Sequence, residues 1–271
     1  MTLELQIQHE AGAAFDGIAA EYDTLFTFST IGRTQRNAVW KRAAAAFAPG
    51  DRVLELNCGT GEDAMFLAHR GLNVTACDAS GQMIEQAKVR KGRQAPWAAV
   101  DFHVLPTERL YELPAQPLFD GVFSNFSGLN CVADLRTVAG ELAMRLRPRA
   151  KLLLCFSTRF CLWEILHYTA KGDFQKALRR CSGVSPVSLN ACSFPVYYPT
   201  IGQLRRSFAP AFRLRSVMGV GIAVPPSYME KWIGKHPRVL TAMNCFDAAV
   251  CDLPGFRIIG DHMLLSMEKV S

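Results

Sequence analysis

The stretch that decides the fold is VLELNCGTGEDA, residues 53–64, in which an apolar run leads through a glycine-rich turn into a helical pattern. The apolar run predicts a strand, and glycines at 59 and 61 remove side-chain bulk where the chain turns into the helix. With Ala64 three residues later, the turn also satisfies a loose dinucleotide fingerprint. The sequence therefore predicts that a ligand binds at this turn. The class of that ligand has to be inferred from the flanking residues.

The surrounding sequence predicts an α/β fold with a Rossmann-like sheet of seven strands, mostly parallel, with an antiparallel last strand and helices on both faces. Short apolar runs alternate with helical patterns between residues 51 and 157, which is typical of a parallel sheet with crossover helices. The predicted strands are 52–57, 72–78, 98–104, 118–126, 150–157, 212–224 and 255–270.

We expect a single domain over residues 1–271, with its cofactor-binding core at 51–157 and helices of residues 1–48 closing the cofactor pocket. Two insertions, 158–199 and 225–252, leave from the carboxyl ends of strands. Because ligands of open α/β sheets bind at those ends, the insertions are predicted to form a helical lid over the site. Within the first insertion, residues 159–180 have a long amphipathic helical pattern and residues 185–199 an irregular, proline-punctuated one.

Composition excludes several classes of function. The net charge of +6 is modest and its basic residues are dispersed, which argues against nucleic-acid binding. The nine cysteines form no CxxC pair and no Cys/His spacing suited to zinc, so no metal is expected. The opening residues lack a signal-peptide pattern, and no run of about 18 apolar residues occurs. We therefore expect a cytoplasmic protein with no integral membrane segment.

The acidic residues around the turn bear on the class of ligand. Glu62 and Asp63 occupy the first helical turn and Glu55 precedes the glycines, an arrangement expected to repel a pyrophosphate and to favour a positively charged cofactor. Asp78, at the end of the second strand, is predicted to accept hydrogen bonds from the ribose hydroxyls of a nucleoside; its alternative role is to cap a helix. No tyrosine has a lysine four residues on, which disfavours a short-chain dehydrogenase.

Three segments resemble motifs I, II and IV of the class I S-adenosylmethionine-dependent methyltransferases: VLELNCGTGED, VTACDASGQMIEQA and FDGVFSNFSGLNCV. AAFDGIAAEYD, residues 13–23, is similar to the N-terminal segment of the small-molecule branch that includes quinone- and biotin-pathway methyltransferases. The resemblance covers about residues 13–157 and 200–270. It implies an enzyme that takes a methyl group from S-adenosylmethionine, leaves S-adenosylhomocysteine, and methylates a small, partly apolar acceptor.

The resemblance also implies roles for single residues. It assigns the methionine part of the cofactor to Glu55, Asn57, Gly59 and Gly61, the ribose to Asp78, the adenine to Ala79 and Met83, and the place beside the methyl group to Asn125 and Phe126. Tyr22 and Arg36 are candidates for closing the pocket, with Arg36 as a fork for the cofactor carboxylate; the alternatives are core packing for Tyr22 and a surface salt bridge for Arg36. Leu105–Pro106 departs from the family pattern, which leaves adenine recognition to backbone groups or to Thr107 and Glu108.

Catalytic residues are not fixed by the fold, because methyl transfer needs a base only if the nucleophile must lose a proton. His167 and Glu164, three residues apart on the same predicted helix face, form the candidate catalytic pair. The candidate acceptor contacts are Trp163, Tyr197 and Tyr198. The alternatives are an amphipathic lid helix without catalytic residues and a small aromatic core of the lid. His262 is expected to pack beneath the sheet or to pair with Asp261.

Two rival functions remain open at this point. One is a nicotinamide-dependent oxidoreductase, and the other is a non-catalytic S-adenosylmethionine-binding regulator. The nucleophilic atom of the acceptor, whether carbon, nitrogen, oxygen or sulfur, is left open as well.

Overall fold

A computed structural model describes residues 11–189 and 192–270 of the chain. The start of the predicted N-terminal helical segment (1–10), residues 190–191 of the first insertion and residue 271 lie outside the described residues.

A seven-stranded sheet runs through the middle of the molecule in the order β3-β2-β1-β4-β5-β9-β8. Strands β1 to β5 run parallel to one another, while β9 is antiparallel to both β5 and β8. The predicted sheet with its antiparallel last strand is thus confirmed. Its strands are β1 Arg52–Leu56, β2 Asn73–Asp78, β3 Val100–Val104, β4 Phe119–Ser124, β5 Leu146–Ser157, β8 Phe212–Val220 and β9 His262–Lys269; β6 Val184–Leu189 and β7 Cys192–Tyr197 form a separate hairpin.

Helices cover both faces of this sheet and build the insertions. Residues 11–16 are helical. The α-helices that follow are α1 Ala19–Tyr22, α2 Thr30–Ala46, α3 Glu62–His69, α4 Gly81–Gln94, α5 Leu135–Arg145, α6 Leu162–Ala170, α7 Phe174–Ala177, α8 Ile201–Phe208, α9 Glu230–Ile233 and α10 Pro237–Val250. A π-helical turn spans Asp23–Thr27, and 3-10 turns span Thr107–Glu112, Gly128–Cys131, Arg179–Ser182, Ser227–Met229 and Phe256–Ile258.

The alternation of side chains along the central strands gives the sheet an apolar core on each face. Leu152 and Leu154 pack in one core together with helices α5 and α8. Leu153 and Cys155 pack in the other, together with α2, α3 and α4. Because both faces are covered, the central strands β1 and β4 are buried along most of their length, whereas the edge strand β3 is largely exposed and contains Asp101 and His103.

The first insertion differs from the predicted helical lid. Its helical pattern breaks at Gly172, whose φ of +75° ends α6, and the proline-punctuated stretch forms the β6–β7 hairpin. The irregular assignment of 185–199 was therefore wrong. Pro186 lies opposite Pro195 in the hairpin, and a two-stranded hairpin tolerates residues without an N–H group because both of its strands are edges.

Two predicted strands were too long. The strand predicted at 255–270 begins only at His262, after a 3-10 turn, and the strand predicted at 212–224 ends at Val220. Among residues 11–189 and 192–270, no helix combines the length and the apolar character needed to span a bilayer.

Candidate active site at the carboxyl ends of the strands

A cleft opens where β1, β2 and β4 end, which is the place expected for a ligand in an open parallel sheet. Nine of the eleven residues assigned to the cofactor from the sequence line it: Tyr22, Arg36, Asn57, Gly59, Asp78, Ala79, Met83, Asn125 and Phe126. Glu55 and Gly61 do not. The lining also includes residues that the sequence did not single out for the cofactor, among them Gly12, Phe15, Cys58, Thr60 and Gly128.

The two glycines of the turn are required for different reasons. Gly59 has a φ of +53°, and a Cβ there would meet only Tyr22, at 3.9 Å, so this part of the turn faces open space. Gly61 has a φ of +77°, and a Cβ there would lie 2.9 Å from both Ala87 and Phe102. Gly61 therefore serves helix packing, while Gly59 leaves room for a ligand to approach the backbone.

Asn57 occupies the left-handed region, with a φ of +56°, a conformation that asparagine tolerates better than most residues. Its side-chain amide lies 3.2 Å from the hydroxyl of Thr107. A Cβ at Gly128 would come within 2.2 Å of the Asn57 Cβ, so that loop packs directly onto Asn57. Asn57 thus ties the glycine turn to two neighbouring loops. Asn57 donates to the Thr107 hydroxyl, and Thr107 does not line the cleft. The structure therefore does not support Thr107 as an adenine contact.

Asp78 is held by backbone amides. Its Oδ2 accepts from the N–H of Gly59 at 2.8 Å and its Oδ1 from the N–H of Ser80 at 2.9 Å. Burial raises the pKa of Asp78, and these two hydrogen bonds oppose the increase. The carboxylate is half-buried and lines the cleft, so its remaining acceptor positions are available to a ligand.

The acidic start of α3 does not present free negative charge to the cleft. Glu62 is ion-paired with Arg90, and Asp63 is ion-paired with Arg36. Asp63 also accepts from Trp40 Nε1 at 2.5 Å and lies 3.3 Å from the Asn125 amide. The reasoning that Glu62 and Asp63 favour a positively charged ligand was therefore wrong, because two arginines neutralise these carboxylates.

Glu55 is buried on β1 directly before the turn, and its Oε2 atom has no hydrogen-bond partner among residues 11–189 and 192–270. Burial, reinforced by the charge of Asp63, raises the pKa of Glu55 well above its usual value of 4.5. The protonated form of Glu55 is therefore favoured, which weakens the expectation that Glu55 adds negative charge to the site.

Residues 11–27, named here the N-terminal cover, contribute Ala11, Gly12, Phe15 and Tyr22 to the lining of the cleft. Asp16 accepts from Ser80 Oγ at 2.5 Å and from the N–H of Gln82 at 2.9 Å. Asp23 accepts from Thr60 Oγ1 at 2.6 Å and is ion-paired with Arg90. A Cβ at Gly12 would lie 3.0 Å from the carbonyl of Ala79, so the cover rests on the residue assigned to adenine.

The cleft adjoins a second, larger cavity, named here the acceptor chamber, which has a volume of about 390 Å³. Phe15, Tyr22, Arg36 and Phe126 line both spaces. The lining of the chamber combines aromatic and aliphatic side chains with polar and charged ones. The apolar lining includes Phe15, Phe26, Phe194, Val187, Leu189 and Tyr228, and the polar lining includes Gln35, Glu164, Arg179, Arg180, Asp261 and His262.

The charged residues of the chamber lining form a network that joins the first insertion, named the lid from here on, to the end of the sheet. Glu164 on α6 accepts from Arg179 Nε at 2.7 Å and from Arg180 Nη2 at 2.8 Å. Arg180 Nη2 also lies 3.1 Å from Asp261 Oδ1, beside the first residue of β9. Two arginines and two carboxylates balance in charge, and they connect the lid to the end of the sheet.

The predicted catalytic pair is not formed. Glu164 is bound to Arg179 and Arg180, while the His167 ring lies 5.1 Å from Tyr168 and 4.9 Å from Tyr228. His167 does not line the chamber. Spacing on one helix face brings Glu164 and His167 near each other. Arg179 and Arg180 nevertheless bind the Glu164 carboxylate, because an arginine forms stronger charge-assisted hydrogen bonds with a carboxylate than an imidazole does.

The three predicted acceptor contacts also lie away from the chamber. Trp163 donates to the carbonyl of Ala223 at 2.9 Å, and Tyr198 is buried against Arg180. Tyr197 lies on β7 beside a different surface pocket. The aromatic residues that do line the chamber come from the N-terminal cover, from the residues after β4, from β7 and from the second insertion. Their positions depend on how distant segments meet, which no local pattern in the sequence indicated.

Comparison with known proteins matches the core to one family. Residues 53–149 match the family model described as a methyltransferase domain. The chain is 33% identical over 154 residues to a demethylmenaquinone methyltransferase of Mycolicibacterium gilvum, a match that covers 55% of this chain and 61% of the relative. The chain thus spans about three fifths of the length of that curated relative.

Solved structures share the fold at low sequence identity. A methyltransferase structure from Listeria monocytogenes, described as putative and S-adenosylmethionine-dependent, has a TM-score of 0.58 and 16% identity, covering 87% of this chain and 100% of that chain. Phosphoethanolamine N-methyltransferase 2 of Haemonchus contortus, solved with S-adenosylmethionine, has a TM-score of 0.61 and 17% identity, covering 94% of this chain and 57% of that chain.

Proposed function

We propose that this chain is a class I S-adenosylmethionine-dependent methyltransferase that transfers a methyl group from S-adenosylmethionine to a small, partly apolar acceptor, a function that the matched methyltransferase domain and the curated relative support. The observation that carries the proposal is that a cleft lined by the Asp78 carboxylate adjoins a chamber lined by aromatic side chains, with Phe15, Tyr22, Arg36 and Phe126 lining both.

The residues of the cleft fit the cofactor. Asp78 offers acceptor positions for the ribose hydroxyls, and Gly59 leaves the space that a close approach to the backbone needs. Arg36, fixed by Asp63, has a buried Nε atom with no hydrogen-bond partner, a donor suited to the cofactor carboxylate. Ala79 and Met83 supply an apolar wall for adenine.

The cleft is partly closed as it stands. It encloses about 90 Å³, below the roughly 300–1,000 Å³ of ordinary small-molecule sites. We infer that the N-terminal cover moves outward to admit the cofactor and closes again over it, because Gly12 rests on the backbone of Ala79. Closure then excludes water from the reacting groups.

The bound cofactor supplies an electrophilic methyl group on a sulfonium, and the chain supplies position and a dry surrounding. Transfer is an in-line displacement, so the main requirement is that donor and acceptor stay aligned at close distance. Directly after β4, Asn125 lines the cleft and Phe126 lines both the cleft and the chamber. The Phe126 ring lies 4.6 Å from the Arg36 guanidinium.

The chamber supports an acceptor with an aromatic ring and at least one polar group. Rings of Phe15, Phe26 and Phe194 offer flat apolar contacts, and the same chamber has polar lining residues. A reduced naphthoquinone combines these features. The name of the curated relative, a demethylmenaquinone methyltransferase, supports a naphthoquinone ring and does not bear on which atom of this chain's acceptor receives the methyl group. We propose this class of acceptor for the chain.

Calorimetric titration tests the cofactor, and transfer of radiolabelled methyl tests the reaction. We expect S-adenosylhomocysteine to bind and NADH not to bind. We also expect label to pass from S-adenosylmethionine to 1,4-dihydroxynaphthalene under anaerobic conditions. Tight binding of NADH without binding of S-adenosylhomocysteine would overturn the proposal in favour of an oxidoreductase. Binding of S-adenosylhomocysteine without transfer to this or related ring hydroxyl compounds would favour a non-catalytic regulator.

A further inference from the structure

His262 is a titratable residue of the acceptor chamber that the lid network leaves unused. It is the first residue of β9, opposite Ser157 at the end of β5, so the sheet itself fixes its backbone. Its ring lies 5.6 Å from the Phe126 ring, in an edge-to-face arrangement. Because Phe126 lines both the cleft and the chamber, His262 stands one ring away from the cofactor site.

The surroundings of His262 orient its ring and keep it neutral. Nδ1 lies 3.5 Å from Asp261 Oδ2, and it is a buried atom with no hydrogen bond of its own. Arg180 holds the other oxygen of Asp261 at 3.1 Å. Burial lowers the pKa of His262 below its usual 6.5, Asp261 opposes this decrease, and Arg180 adds to it. Glu164 and Arg179 complete the charged lining, and their charges balance those of Asp261 and Arg180.

The other ionisable groups that line the chamber in the described part of the chain are poorly suited to accept a proton. Glu164 is bound by two arginines, and although burial acts to raise the pKa of Asp261, the charge and hydrogen bond of Arg180 help to hold it below its usual value. The pKa values of Tyr22 and Tyr228 are raised by burial. His262 faces the same chamber, its lowered pKa favours the neutral form, and an imidazole can bind a proton.

We propose that His262 is a catalytic residue that takes the proton lost by the acceptor, and that Asp261 is its positioning residue. The inference rests on the proposed methyl transfer and deepens it, because it assigns the acceptor to compounds whose reacting group is a hydroxyl. A lone pair of the acceptor oxygen forms the bond to the methyl carbon. The bond from that carbon to sulfur breaks with its electron pair left on sulfur, and the hydroxyl proton passes to the imidazole.

Charge is conserved in this step. The positive charge of the sulfonium disappears as the imidazole becomes an imidazolium, which Asp261 stabilises from 3.5 Å. Because the network of Glu164, Arg179, Arg180 and Asp261 is already neutral, the imidazolium is not held permanently. Its proton returns to water when the product leaves.

Two measurements on the full chain test the proposal, with His262→Gln and the exposed control His103→Gln. In the wild type labelled with ¹⁵N-histidine, the resonance missing from His262→Gln is expected to titrate below pH 6.5. This titration needs no acceptor. A His262 ring that stays protonated at pH 8, or that never titrates, would overturn the proposal. Binding of S-adenosylhomocysteine by His262→Gln is expected to stay within twofold of the wild type, which separates this proposal from cofactor binding.

The second measurement compares two probe acceptors, 1-naphthol, which is un-ionised at pH 7, and 2,4-dinitro-1-naphthol, which is ionised. For 1-naphthol we expect kcat/KM of His262→Gln to fall by about 10²-fold or more and to lose the limb that rises with pH. For the ionised naphthol and for His103→Gln we expect little change. Equal losses for both naphthols, or no loss for either, would assign His262 a structural role and overturn the proposal.

Discussion

At the scale of single residues, the site depends on a few carboxyl groups whose environments differ. Asp78 is held open to the cleft by two amides, Asp63 is neutralised by Arg36, and Glu55 is buried without a partner for Oε2. The sequence placed all three around one turn, but it did not show that only Asp78 presents a free carboxylate. Arg36 comes from a helix that precedes the turn by more than a dozen residues.

Asp78→Asn is expected to weaken binding of S-adenosylhomocysteine by about 1–3 kcal/mol, because the ribose hydroxyls lose a charged acceptor. Calorimetry on the folded variant measures the effect. Asp101→Asn, an exposed change on the neighbouring strand β3, is the matched control and is expected to leave the affinity unchanged. Equal affinity in Asp78→Asn and the wild type would show that the ribose is held elsewhere.

Glu55→Gln is expected to change how stability depends on pH. In the unfolded chain Glu55 loses its proton near pH 4.5, whereas the folded protein keeps that proton to a higher pH. The free energy of unfolding therefore falls as pH rises through this window, by about 1.4 kcal/mol for each unit between the two pKa values.

Since glutamine cannot ionise, Glu55→Gln should be more stable relative to the wild type at pH 8 than at pH 5. Urea unfolding at the two pH values measures this difference, with the exposed Glu85→Gln as control. A difference between variant and wild type that does not change with pH would mean that Glu55 is ionised in the folded protein.

At the scale of elements, the N-terminal cover and the glycine turn act together. Asp23 accepts from Thr60 within the turn and pairs with Arg90 on α4, and Arg90 in turn pairs with Glu62. The sequence predicted helices that close a pocket, and the described part of that segment does line the cleft. The division of the chain into these functional segments stays a prediction.

Asp23→Asn is expected to loosen the cover and to increase the dissociation rate of S-adenosylhomocysteine several-fold, since one ion pair is lost and the hydrogen bond to Thr60 becomes neutral. Stopped-flow fluorescence measures the rate. Glu21→Gln, an exposed change in the same cover, serves as control. An unchanged rate would mean that the cover does not limit release of the ligand.

At the scale of the whole molecule, the lid is joined to the sheet by the buried network of Glu164, Arg179, Arg180 and Asp261. Glu164→Gln leaves the two arginines with a single charged partner. Breaking a buried ion pair by removing one member costs about 3–5 kcal/mol, so we expect the lid to open more readily.

Hydrogen exchange measures the effect of Glu164→Gln segment by segment. Protection is expected to fall in residues 162–182 and to persist in strands β1 and β4. Lys171→Gln, an exposed change in the same lid, should leave both regions unchanged. An equal loss of protection in the lid and in the central strands would show that the network supports global stability and not the lid alone.

The sequence by itself determined the fold and most of the cofactor cleft. Strands buried on both faces must be apolar, and a turn that approaches a ligand closely needs residues such as Gly59 and Asn57, so each of these features leaves a local pattern.

The tertiary structure alone decided which carboxylates are free, which lid residues line the chamber, and where His262 stands. These facts depend on contacts between segments that are far apart in the sequence, such as Arg180 with Asp261 and Phe126 with His262. Ion pairs and ring contacts form between side chains that lie close together in the folded chain, whatever their separation in the sequence. Spacing along one helix face joined Glu164 to His167 in the sequence, while the folded chain joined Glu164 to Arg179 and Arg180.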